Sequence, residues 1–165
     1  MSLAELIQTL DHQAAIYKQL LDIAEAKTAV LVRNNVEQLN QFLQKERKLV
    51  TEAESLEVRR AQLTSRHFAT IGYRGTGYTI SELIRSTHHS EPKQQLIEMQ
   101  QALASMLEEL KRRNELNQQL VRQSLAFVDY SVSLVVEDPS EDLIYKHPQK
   151  QLAMNGKNRM FDSRA

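Results

Sequence analysis

Leu3 to Leu31 reads LAELIQTLDHQAAIYKQLLDIAEAKTAVL, and the spacing of its apolar residues decides the fold class. Leu3, Ile7, Leu10, Ala14, Tyr17, Leu21, Ala24, Thr28 and Leu31 alternate steps of four and three. That is the a/d seam of helices packed with a left-handed twist. A thinner stripe of Ile16, Ile23 and Val30, at spacing seven, lies on another side of the same helix, so a second neighbour is expected there.

The pattern continues outward from this segment. Arg33-Asn34-Asn35 offers a kink, because Asn tolerates the left-handed conformation and can cap the Val36-Glu37-Gln38 turn that follows. Leu39, Phe42, Leu49, Ala53, Leu56 and Leu63 then resume a heptad register in which Glu46 and Arg60 take seam positions, a wetter stretch. This second helix is expected to end near His67. HFATIGYRGTGYT holds three of the four glycines, and the chain must turn there. Without a preceding strand, the Gly-x-x-Gly-x-Gly spacing suits a connection rather than a phosphate cradle. TISELIRS predicts a short helix capped by Thr79 with Glu82 three residues on. Ser90-Glu91-Pro92 opens the last helix, with Ser90 as cap and Pro92 in the first turn. Leu96, Met99, Leu103, Met106, Leu110, Arg113, Asn117, Leu120, Ser124, Phe127, Ser131 and Leu134 carry it on for about 65 Å.

The expected fold is therefore all-α, an elongated antiparallel helical bundle or coiled-coil hairpin, with helices near 3–33, 35–67, 79–86 and 91–136. Residues 1–137 form this bundle. Asp138-Pro139-Ser140 ends the last helix, and 138–165 reads as a flexible C-terminal tail with apolar spots at Leu143-Ile144-Tyr145 and Met160-Phe161. Composition agrees with this reading. Among 165 residues there are four Gly, three Pro and no Trp, with 5% aromatics.

Charge and chemistry narrow the function. Lys and Arg total 21, as do Asp and Glu, so no global field favours nucleic acid or an anionic membrane. No cysteine means no disulfide framework and no thiolate chemistry. MSLAELIQTL has no basic region before an apolar core, and no apolar run approaches the ~18 residues of a membrane span. A soluble, cytoplasmic protein without stable membrane insertion is expected. Histidines at 12, 67, 88, 89 and 147 include no i, i+4 pair, and no Glu-x-x-His occurs, so no metal or other cofactor is expected. No nucleophile, base and oxyanion donor assemble, so the chain does not read as an enzyme.

One stretch is too apolar for a helix resting on a single neighbour. In LVRQSLAFVDYSVSLVV, Leu120 to Val136, the apolar residues Leu134, Phe127, Leu120, Val135, Val128, Val121, Val132, Leu125 and Val136 sweep about 200° of the surface. A single packing face needs a stripe of only ~100°. The second half is closed by the chain's own helices, by a dimer mate, or by another protein. Its place beside an apolar-spotted tail favours a protein partner. On that reading Leu120, Phe127 and Leu134 pack on the chain's own helices, while Val121, Val128 and Val132 meet the partner.

NELNQQLVRQSLAFVDYSVSL, Asn114 to Leu134, follows a long N-terminal heptad helix and EQLNQFLQKERKLVTEAESLEVRR. In this order the elements resemble the FlgN family of flagellar type III export chaperones, from about Leu3 to Tyr145. The Leu-Asn-x-x-Leu run from Leu116 to Leu120, a Tyr shortly after the last helix and the Phe-Asp near the C-terminus carry the likeness. The resemblance implies a cytoplasmic chaperone whose C-terminal helix binds helical ends of hook–filament junction (hook-associated) proteins and delivers them to the export gate. The client-binding residues would be Leu120, Val121, Ser124, Leu125, Val128, Val132 and Val135, and Tyr145 would dock on the gate. A Gly usually follows that Tyr in the family, and Lys146 stands here. The alternative is a coiled-coil scaffold or regulator without a secretion role, self-associating through the same face as a homodimer.

Overall fold

Nothing in the first thirty or so residues interrupts a helix, since Gly and Pro are absent and Leu, Ala, Gln, Glu and Lys dominate. In the computed structural model, which describes residues 2–136, this becomes α1 (Ser2–Val32). It is followed by α2 (Val36–Thr70), α3 (Ile80–Ser86) and α4 (Ser90–Val136), with no strand among the described residues. The fold is all-α. The tail expected at 138–165 lies outside the described residues, and Tyr145 with it. The chain divides into two units, residues 1–124 and residues 125–165.

Within the first unit, the two asparagines after α1 do more than bend the chain. Asn34 takes φ 53°, the left-handed region that Asn tolerates better than most residues, and Asn35 accepts a hydrogen bond from the Gln38 N–H at 3.1 Å as the cap of α2. The chain reverses there. Gln13 donates to Glu57 and Lys27 to Glu46, so α1 and α2 run antiparallel. Leu96 of α4 shares a core with Leu6 and Leu10, while Asn117 farther along bonds Ala24 and Thr28, so α4 runs parallel to α1.

Two apolar clusters hold the three long helices. Leu6, Leu10, Leu63, Phe68, Leu83, Leu96 and Leu103 form one, with Ile7, Tyr17, Met99 and Met106 at its edge. Ile16, Leu20 and Leu56 form the other, backed by Leu49, Ala53 and Leu110. Burial of each such side chain contributes about 1.5–3 kcal/mol relative to exposure. On α1 the expected seam is buried at Leu10, Ala24 and Leu31 and half-buried elsewhere, and the most buried line lies beside it. It runs through Leu6, Gln13, Leu20 and Lys27, seven apart, all at most 8% exposed. Two of the four are polar, so the line does not read as apolar in the sequence. It is buried because α2 and α4 flank α1 on either side, which also explains why Ile16 and Val30 of the second stripe are buried.

The glycine-rich connection closes one end of the unit. Gly72 and Gly77 take φ +88° and +84°, where a Cβ would be strained, and Phe68 stacks on Tyr78 with ring centroids 4.0 Å apart. α2 continues to Thr70, past His67. α3 carries the expected capping box. The Glu82 carboxylate accepts from the Thr79 N–H at 2.7 Å and Thr79 Oγ1 accepts from the Glu82 N–H at 3.2 Å, while Leu83 is buried in the first cluster. Of the second unit, residues 125–136 are described. They are the last three turns of α4, in which Ser131 Oγ and Ser133 Oγ donate back to the Phe127 and Tyr130 carbonyls.

Candidate functional site

The α4 seam is buried or half-buried at each expected position from Leu96 to Ser124. Its polar members find partners. Asn117 Nδ2 donates to the Ala24 carbonyl at 2.8 Å and its Oδ1 accepts from Thr28 Oγ1 at 2.6 Å, while Arg113 reaches Glu25 and Glu109 at 3.7 and 3.8 Å. Leu120 is half-buried. Ser124 Oγ donates to Asn34 Oδ1 at 3.4 Å, level with the turn between α1 and α2.

Val121 faces a different setting. With Leu31, Leu39 and Leu43 it makes the apolar wall of an open groove of about 600 Å³, whose polar lining includes Asn114, Asn117 and Gln118 and the Lys27–Glu46 ion pair. That pair, 2.6 Å between Lys27 Nζ and Glu46 Oε1, occupies the wet seam position read from the sequence. Leu39 of the expected α2 seam and Leu43 beside it line this groove, and the sequence signal for it is Glu46 on the seam, which leaves the leucines before it without an apolar layer to close over them.

After Ser124 the apolar residues are exposed, while Ser131 of the seam is half-buried. Leu125, Val128, Val132 and Val135 are 59, 52, 54 and 86% exposed. Contrary to the expectation that Phe127 and Leu134 pack on the chain's own helices, they are 68 and 56% exposed. The helical period predicts which side a residue shares with Leu120, but burial also needs a neighbour, and these side chains find none among the described residues. Among the described residues, the apolar side chains from Leu125 to Val136 are thus exposed on both sides of the helix. Tyr130 and Val136 are exposed as well. A run of this kind is what marks an interaction surface rather than scattered surface hydrophobics.

Several ionisable groups of the described residues serve structure. Arg60 grips Glu57 through two nitrogens and holds that carboxyl below the usual range, helped by Gln13. Burial, then the nearby Glu57, pushes the Tyr17 hydroxyl up. No group of three or more His, Asp or Glu among the described residues has a metal-binding arrangement. Nor is any described helix long and apolar enough to cross a membrane.

Comparison with known proteins assigns the family. The model of the FlgN protein family matches residues 1–153, nearly the whole chain. The chain belongs to the FlgN family. FlgN proteins are chaperones of flagellar export rather than enzymes. Among curated proteins, an uncharacterized protein of Bacillus subtilis (strain 168), YvyG, is 32% identical over 165 residues, spanning all of both chains. No solved structure matches.

Proposed function

We propose that this FlgN-family chain is a cytoplasmic chaperone that binds helical terminal segments of hook-associated proteins along α4 and delivers them to the flagellar export gate. The observation that carries this reading is the uncovered apolar arc of Leu125, Val128, Val132 and Val135. Leu120, Val121 and Ser124 extend the binding residues toward the N-terminus of α4. An amphipathic client helix laid on this arc would bury its own apolar stripe, which otherwise promotes aggregation or premature assembly. Because Phe127 and Leu134 are exposed too, the client can meet more of the helix circumference than one stripe.

The test is titration of the purified chain with purified hook-associated proteins. Val128→Asp should keep the helical content of the wild type and lose client binding, since a charge buried in a desolvated interface costs several kcal/mol. Binding that survives Val128→Asp would overturn the assignment. A wild-type chain that sediments as a tight dimer, and becomes monomeric on the same substitution, would instead support the homodimeric scaffold. We assign docking on the export gate to Tyr145. A ring and hydroxyl in the segment after Pro139 provide a large contact area for a weak, reversible contact. Tyr145→Ala should leave stability and client affinity near wild type while reducing secretion of the clients and binding to the gate's cytoplasmic domain. Normal secretion would remove Tyr145 from this role.

A further inference from the structure

The chain is neutral as a whole but not along its length. Between Val58 and Ser90 it carries Arg59, Arg60, Arg66, Arg74 and Arg85, no Lys, and Glu82 as its one carboxylate. Glu82 is engaged in the capping box of α3, where Thr79 backbone and side chain hold its carboxyl below the usual range and Arg85 adds a smaller effect. Arg60 is occupied by Glu57. Arg59, Arg66, Arg74 and Arg85 are exposed, and none of them is ion-paired among the described residues. Glu5 on α1 and Glu91 and Glu98 on α4 belong to neighbouring elements, and none reaches these four guanidinium groups.

Arg66 near the end of α2, Arg74 in the connection and Arg85 on α3 flank the glycine connection along the chain. Arg59 and Arg66 are seven apart on one face of α2, about 10 Å along the axis. Tyr73 meets Phe68 edge-on at 6.1 Å, Tyr78 stacks on the same ring, and Leu83 enters the same cluster, so the loop with Arg74 and α3 with Arg85 are fixed against the end of α2. Exposed Ile71 and Tyr73 precede Arg74 in the connection.

We infer that this arginine-rich end is a second docking surface, and that its partner is an acidic protein segment carrying several carboxylates and an apolar residue or two. It shares no residue with the α4 arc. Guanidinium groups grip carboxylates with paired hydrogen bonds, and an all-arginine set without lysine suits that geometry. A membrane surface fits less well, because the Tyr73 ring is anchored on Phe68 and Ile71 alone is left to insert. Nucleic acid fits less well, because Phe68 and Tyr78 stack on each other rather than offering their faces to bases.

The test uses the full chain and a labelled Glu-rich peptide containing leucines, with its Gln-substituted counterpart, phosphatidylglycerol vesicles and duplex DNA as competing probes. Wild type should bind the Glu peptide, not the Gln peptide, with affinity that falls as salt rises. The Arg66→Ala/Arg74→Ala pair should weaken binding roughly tenfold, while Arg47→Ala/Lys48→Ala, an equal charge loss elsewhere on α2, should leave it unchanged. All three proteins should melt alike. Equal weakening by both pairs, no binding at low salt, or preference for vesicles or DNA over the Glu peptide would overturn the inference. Client binding through α4 is measured separately, so failure here leaves that reading untouched.

Discussion

Asn117 on α4 is tied to Thr28 on α1 by a 2.6 Å hydrogen bond, and its amide donates to the Ala24 carbonyl one turn earlier. Asn117 is 5% exposed, so these bonds replace water in a packed seam. A single buried Asn at such a position fixes which turn of one helix meets which turn of the other, because every other register leaves its amide unpaired. The Leu-Asn-x-x-Leu run from Leu116 to Leu120 thus acts as a register latch.

The latch can be measured. Asn117→Ala should destabilise the chain by about 1–3 kcal/mol in urea unfolding. A cycle with Thr28→Val should return a coupling of about 0.5–2 kcal/mol. Additive single effects would mean that the two side chains do not share the bond. Asn117→Leu should lose less stability but broaden amide resonances along α1 and α4, since the apolar replacement packs without selecting a register.

The Lys27–Glu46 pair makes a second polar tie, with side chains only 10 and 20% exposed. Glu46→Gln strands a shielded ammonium and should cost about 3 kcal/mol. Replacing both, as Lys27→Met with Glu46→Leu, should be near neutral or stabilising by about 1 kcal/mol or more, because neither charge then has to be desolvated. Equal losses in the single and double variants would show that aliphatic packing, not the charge pair, carries the contribution.

How much of this was legible in the sequence depends on whether a residue's environment follows from its own helix. The seam from Leu96 to Ser124, the Thr79–Glu82 box and the glycine connection are local patterns and could be read directly. Gln13 and Lys27 could not, since the partners that offset the cost of their burial, Glu57 and Glu46, lie on another helix. Asn34 was legible as a special conformation, but reversal rather than a kink depends on how α2 packs. Phe127 and Leu134 mark the other boundary. Their period matches Leu120, yet period gives direction only and does not by itself supply cover.

His67 gives the structure a pH dependence. Burial holds its imidazole below the ordinary value of 6.5, and Nε2 finds no hydrogen-bond partner among the described residues. The unfolded chain therefore takes up the proton first as pH falls. The stability linked to neutral His67 is present above about pH 6.5, declines as pH falls toward the lowered folded-state value, and levels off below it. Melting temperatures recorded from about pH 8 to pH 5 should fall in wild type, and His67→Leu should flatten that part of the slope. An unchanged slope in the variant would assign the acid sensitivity to other groups.

The two parts of α4 should answer the same substitution differently. Leu103 is buried in the core cluster with Leu6 and Leu10, so Leu103→Ala should cost about 2–5 kcal/mol through lost transfer energy and the cavity it leaves. Phe127 and Leu134 lie on the same seam but are exposed, so Phe127→Ala and Leu134→Ala should change stability by no more than about 0.5 kcal/mol. Urea unfolding of the three variants separates period from cover, because all three belong to the same expected a/d seam. If Phe127→Ala proves as costly as Leu103→Ala, that ring is buried in the free protein, by the chain's own residues or by a second copy. Repeating the measurement across protein concentrations distinguishes these, since a loss that grows with concentration belongs to self-association.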